Sequence, residues 1–161
     1  MIPVKALAVT GFGETGLVAL STPALGPMEA LVKVRAVALC TLEQRVFRGV
    51  VKVPLPFVGG HEVAGEVIAL GEEAHISGFK PGDRVAVRLL YNCGACPACR
   101  RGQSNLCDHA RHKPVREGLL PGPGGLMDQV IVPANMLFGM SDRLGFDEAS
   151  LTEPLACCVH S

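Results

Sequence analysis

Two groups of metal-ligating side chains carry the chemistry of this sequence. Cys93, Cys96, Cys99 and Cys107 form a C-x2-C-x2-C-x7-C pattern within YNCGACPACRRGQSNLC. Four thiolates this close in sequence can converge on one tetrahedral Zn²⁺, because the residues between them make tight turns. A closed shell of cysteines leaves no open position, so the spacing predicts a structural ion and not a catalytic one. Disulfides across two-residue gaps would be strained, while an iron–sulfur cluster uses similar spacing and is the alternative occupant. The second group is Cys40, His61 and Glu62, the last two in VGGHEVAG. Cys40 alone reads as a small core residue, and His61 alone is equally ambiguous. Together they supply a thiolate, an imidazole and a carboxylate, donors suited to a second zinc. Two or three protein ligands leave such an ion open to substrate, as a Lewis acid that prepares an alcohol oxygen for loss of hydride.

The elements that position these residues are mostly strands. Segments 4–10, 30–39, 62–70, 84–89 and 129–132 are rich in Val, Ile, Leu and Ala, and turn segments such as GFGETG, KVPLPFVGG and FKPGD punctuate them. In ALVKVRAVALC, Val32, Val34, Ala36, Ala38 and Cys40 fall on one face of a period-2 strand and Lys33 and Arg35 on the other, so Cys40 is expected to end the buried face. Helix is predicted in two places, just after Cys40 and from Asp147 to the end. Pro154 suits the first position of that last helix. Many short strands without long alternating helices imply a closed or partly closed barrel and not a doubly wound sheet. GFGETG has too few glycines for a dinucleotide fingerprint and leads into another strand, so it reads as a hairpin turn.

Composition narrows the function classes. The 161 residues hold 15 basic and 15 acidic side chains, which gives no electrostatic case for nucleic acid or an anionic membrane surface. No apolar run approaches the roughly 20 residues of a membrane-spanning helix, and the N-terminus alternates like a strand where an export signal would be continuously apolar. Seven cysteines cannot all pair within the chain, and without an export-type N-terminus a reducing, cytoplasmic setting is the expectation.

Taken together, these motifs resemble the zinc-containing alcohol dehydrogenases of the medium-chain dehydrogenase/reductase family. The resemblance rests on GGHEVAGEVIALGEEA, the four-cysteine lobe, FKPGDRVAV, GGLMDQVIVPA and TEPLACC, which occur in the family's order across essentially the whole chain. It implies a mainly β, GroES-like barrel over residues 1–161, with a structural zinc lobe and short helices, as the catalytic domain of an α/β two-domain enzyme. It implies two zinc ions per chain and NAD or NADP in the full-length enzyme. The implied substrate is an alcohol, polyol or amino-alcohol and its carbonyl partner, and the full-length protein would be a dimer or tetramer. The nucleotide-binding Rossmann domain would follow the last helix. The expectation is therefore a truncated enzyme, inactive in hydride transfer alone; the competing reading is a stand-alone zinc-binding or co-chaperonin-like module.

Carried over by position, Cys40 and His61 match the catalytic-zinc thiolate and imidazole. Glu62 matches the glutamate beside the histidine, Glu153 the EP glutamate of polyol- and threonine-type members, and Cys157 the second cysteine ligand of the alcohol type, so the third ligand stays open. Most relatives place a proton-passing Ser or Thr two residues after the cysteine and an aspartate next. This chain has Leu42 and Glu43 there. Glu43 can still orient His61, Leu42 cannot relay a proton, and either Thr41 or water is the substitute. His75, His109 and His112 are assigned no role, Arg45 and Arg48 a solvated helix face, Phe47 and Phe57 core packing, Cys158 a buried place and His160 no partner.

Overall fold

The computed structural model describes residues 3–21, 23–110 and 124–160; His112 lies outside them. β1 (Pro3–Gly11) and β2 (Glu14–Ser21) form an antiparallel hairpin, so GFGETG is the expected turn. Val4, Ala6 and Ala8 of β1 are buried and the residues between them are not, as period-2 patterning requires. The main sheet contains β3 (Glu29–Ala38), β4 (Glu62–Leu70), β5 (Arg84–Val87), β6 (Gln129–Pro133) and β7 (Leu137–Gly139). Their order is β6-β3-β4-β5-β7 and every pairing is antiparallel. Its core is built largely of valines, among them Val32, Val67, Val85 and Val132, whose branched side chains suit a pleated surface.

The mainly β, short-helix architecture agrees with the sequence reading, but among the described residues hydrogen bonds do not run round a closed barrel. The hairpin joins the rest through isolated bridges, Ala6 with Met127 and Val9 with Phe57. Pro54 and Pro56, beside Phe57, have no N–H to extend that pairing into a ladder.

Among the described residues there are four short α-helices: α1 (Thr41–Phe47), α2 (Pro97–Arg100), α3 (Phe146–Ser150) and α4 (Thr152–His160). The helix expected from Asp147 onward is thus two helices broken at Leu151, with Pro154 third in α4 and not first. Pro154 cannot donate to the carbonyl four residues back. The Ser150 and Thr152 hydroxyls also bond the carbonyls of Asp147 and Ala149, both at 2.7 Å. No residue of α4 is buried, and Cys158, expected inside, is exposed.

Candidate metal centres

Strand register brings the first centre together. Ala38, the last residue of β3, pairs with Glu62, the first of β4. Cys40 follows two residues after Ala38 and His61 immediately precedes Glu62, so the three donors meet at one end of the strand pair. Their ligand atoms lie within 4.8 Å of one another. His61 and Glu62 are 7% and 5% exposed, whereas Cys40 is half-buried, less enclosed than its place in the strand pattern suggests. The reason is that β3 ends at Ala38 and Cys40 instead caps α1, with extended φ/ψ of −71° and 161°.

Glu43 sits behind this group. It and Val46 form the buried side of α1. Its Oε1 accepts from the Gly60 N–H at 2.9 Å and lies 3.0 Å from His61 Nδ1, while Oε2 is buried without a hydrogen-bond partner. A carboxylate at Nδ1 favours the tautomer with the proton there, which leaves Nε2 as the free donor. Two glycines make this possible. A Cβ on Gly59 would stand 2.7 Å from Glu43 Cγ, and Gly60 has φ 86° with its Cβ position 2.7 Å from the Leu126 nitrogen. Residues 58–60 pair with 124–126 through Gly124 N–H to Val58 O, Leu126 N–H to Gly59 O and Gly125 N–H to Gly60 O. The sequence reading missed this clamp, although the GG doublets at 59–60 and 124–125 are its signal.

The other expected residues fall around the group. Thr41 is exposed, with Oγ1 3.9 Å from Cys40 Sγ. Leu42 offers an apolar side chain at 36% exposure. Glu153 and Cys157 do not join the three-donor cluster; the Cys157 thiol donates to Glu153 Oε1 at 3.5 Å. The Glu153 carboxylate holds the Cys157 thiol pKa above its ordinary value, with burial, Cys158 and Cys40 adding in that order. Arg45 and Arg48 are exposed, as read. Phe57 is 7% exposed and Phe47 half-buried, yet both also wall a cavity beside Cys40.

The second centre is the lobe. The sulfurs of Cys93, Cys96, Cys99 and Cys107 lie within 4.8 Å of one another, and all seven cysteines are free of disulfides. Backbone N–H groups point at the sulfurs: Cys96 to Cys93 at 3.3 Å, Cys99 to Cys96 at 3.5 Å, and Cys93 and His109 to Cys107 at 3.4 and 3.3 Å. His109, assigned no role, thus contributes its main chain. Such donors favour thiolate. They bring Cys96 down to about 6 through the N–H groups of Cys99 and Asp108, and lower Cys93 through those of Ala95 and Cys96. Burial pushes Cys99 up to about 12, so in the metal-free lobe the sulfurs are unequal. Arg88 ties the lobe to the sheet, donating to Asn92 Oδ1 at 2.9 Å and Ser104 Oγ at 2.7 Å. His160, expected without a partner, lies 3.2 Å from Asn105 of the lobe through Nε2. His75 is exposed, its Nδ1 2.6 Å from the Glu72 carbonyl.

Residues 26–142 match the alcohol dehydrogenase GroES-like domain. The chain is 32% identical over 153 residues to D-arabitol-phosphate dehydrogenase of Enterococcus avium, covering 94% of this chain and 42% of that protein. It is 33% identical over 143 residues to L-threonine 3-dehydrogenase of Escherichia fergusonii, covering 86% and 40%. A structure from Sinorhizobium meliloti 1021 assigned as a zinc-binding dehydrogenase bound to NADP superposes with a TM-score of 0.77 at 30% identity, covering 99% of this chain and 45% of the other. The chain therefore spans about two-fifths of the length of these curated relatives.

Proposed function

The chain belongs to the zinc-containing alcohol dehydrogenase family through its GroES-like domain, and from that premise we propose that it is the metal-holding catalytic domain of a zinc- and NAD(P)-dependent oxidoreductase. The reaction interconverts an alcohol, polyol or amino-alcohol with its carbonyl. The observation that carries this reading is the convergence of Cys40, His61 and Glu62 with Glu43 seated behind the imidazole.

The donor set suits zinc: one thiolate, one imidazole and one carboxylate are borderline ligands that leave a position open. Cys40, His61 and Glu62 would hold that ion, and Cys93, Cys96, Cys99 and Cys107 a second, structural one. A zinc ion in the first centre supplies Lewis acidity that lowers the pKa of an alcohol oxygen. Around it, Glu43 keeps the His61 ring oriented with Nε2 available. The half-buried Cys40 leaves that side open to a substrate. Leu42 gives no proton path, so the exposed Thr41 hydroxyl beside Cys40 takes the alcohol proton toward solvent. Glu153 and Cys157, on neighbouring turns of α4, are the reserve ligands should that helix shift. Hydride acceptance belongs to a nicotinamide cofactor held by the remaining length of such enzymes, since these residues contain no dinucleotide fingerprint; alone they are expected not to turn over. Assembly as a dimer or tetramer follows the same resemblance, and a cytoplasmic setting follows the strand-like N-terminus and the cysteine usage. No described helix is long and apolar enough to cross a membrane.

The test is metal content together with activity. Purified protein is expected to hold two zinc ions per chain, Cys40→Ser losing one and Cys93→Ser the other. The full-length protein should reduce NAD⁺ or NADP⁺ with an alcohol, and Cys40→Ser should not. Wild-type protein that retains only the lobe zinc would overturn the catalytic assignment.

A further inference from the structure

The first centre lies between two cavities whose walls are apolar. The larger, of about 400 Å³, is lined from α1 and the β1–β2 hairpin; Leu7, Val9, Phe47 and Phe57 give it apolar walls, and Thr15, Thr41 and Gln44 are its neutral polar side chains beside Cys40. The smaller, of about 210 Å³, has His61 at its edge and Val63, Val87 and Val130 among its walls. A molecule whose oxygen reaches the three donors extends its body from there, and on either side it meets hydrocarbon. Charge is the deciding absence. Among the described residues, the larger cavity has no Lys or Arg in its wall, and its one ionisable carboxylate, Glu43, is engaged with Gly60 and His61. The smaller has a single cation, Arg88, whose guanidinium is committed to Asn92 and Ser104. A phosphate or a zwitterionic amino acid placed here would lose its hydration with only neutral hydrogen-bonding groups and no opposite charge beside it, which is unfavourable. An alkyl or aryl body loses nothing and gains burial. The volume lies within the range of small-molecule pockets, roughly 300–1,000 Å³.

Resting on the dehydrogenase reading above, we propose that the substrate is an alcohol with an uncharged, apolar body seated in the larger cavity, and not a phosphorylated polyol or an amino acid of the kinds named for the curated relatives. Phe47 and Leu39 set its specificity: Phe47 walls the cavity and Leu39 stands at it, 68% exposed.

The test measures kcat/KM for the zinc-loaded full-length protein with ethanol, 1-butanol, 1-hexanol, D-arabitol phosphate and L-threonine. The expected result is a rise of about fourfold per added methylene until the cavity fills, the factor for burying one CH₂, with the two polar probes at least tenfold below 1-hexanol. Leu39→Asp and Phe47→Ser should each cut the ratio of 1-hexanol to ethanol at least fivefold; Leu39 is exposed enough for its variant to fold. Highest activity on D-arabitol phosphate or L-threonine, or no dependence on chain length, overturns the substrate class while leaving the dehydrogenase reading intact. A chain-length dependence unchanged in both variants overturns the choice of cavity. Oxidation of none of the five probes by zinc-replete protein overturns this inference; extending the trial to other alcohols without activity overturns the dehydrogenase reading as well.

Discussion

Replacing Glu43 tests whether this carboxylate serves the metal or the fold. Its Oε1 takes two contacts, from Gly60 N–H at 2.9 Å and at His61 Nδ1 at 3.0 Å, while Oε2 is buried without a partner. In Glu43→Gln the amide oxygen can still accept both bonds, but as neutral ones of about half the strength. The lost attraction is about 1–2 kcal/mol. In the metal-free protein it is partly offset by removal of a buried charge, while the amide NH2 replaces the orphaned oxygen as a buried group without a partner, so unfolding by urea should shift by about 1–3 kcal/mol. With zinc bound, the imidazole carries positive charge density and the missing carboxylate is felt in full. Affinity of the first centre should therefore fall by about 10- to 100-fold, read by chelator competition in a Cys93→Ser background where the lobe does not compete. Glu43→Ala is the harsher case. It leaves two buried donors unpaired at about 1–3 kcal/mol each and opens space against Gly59, for a loss of about 3–5 kcal/mol. Zinc binding in Glu43→Gln within threefold of wild type would refute the positioning role. So would a large stability loss with unchanged affinity.

Gly60→Ala should destabilise by about 2–4 kcal/mol in urea unfolding, because its φ of 86° and the 2.7 Å approach to Leu126 nitrogen leave no space for a methyl. Zinc binding to the metal-free lobe should release fewer than four protons per ion at neutral pH, as measured by calorimetry in buffers of different ionisation enthalpy. Cys96, held down to about 6, is already thiolate there, and Cys99, pushed up to about 12, gives up its proton only to the metal. As pH falls through 6, Cys96 takes up its proton, so release should increase by up to one. The sign for stability agrees: a thiol lowered in the folded state contributes above its unfolded pKa and loses that contribution as pH drops through about 6. In a Cys158→Ser background, alkylation of Cys157 near pH 8 should speed up severalfold on Glu153→Gln, since the carboxylate that holds this thiol protonated is gone; an unchanged rate would remove Glu153 as the cause.

Residue types and their spacing were enough to mark the candidate ligands and the kind of scaffold. Cysteine spacing marked the lobe because two-residue turns keep the sulfurs of Cys93, Cys96 and Cys99 close together, while the return of Cys107 across a seven-residue gap depends on the fold of the segment between. Alternation in β1 and the valine-rich segments likewise specified strands, since the pleat has a period of two. Which distant residues meet is a matter of long-range pairing. The pairing of Ala38 with Glu62 sets Cys40 against His61, and no local pattern fixes that register. The orphaned Oε2 of Glu43, the clamp of 58–60 on 124–126, and the break at Leu151 depend on long-range packing or on competition among hydrogen bonds. The same holds for the third-ligand question: Glu153 and Cys157 share a helix face by sequence, yet they bond each other outside the three-donor cluster. Periodicity describes a face, and only the packing of that face onto its neighbours determines what it reaches.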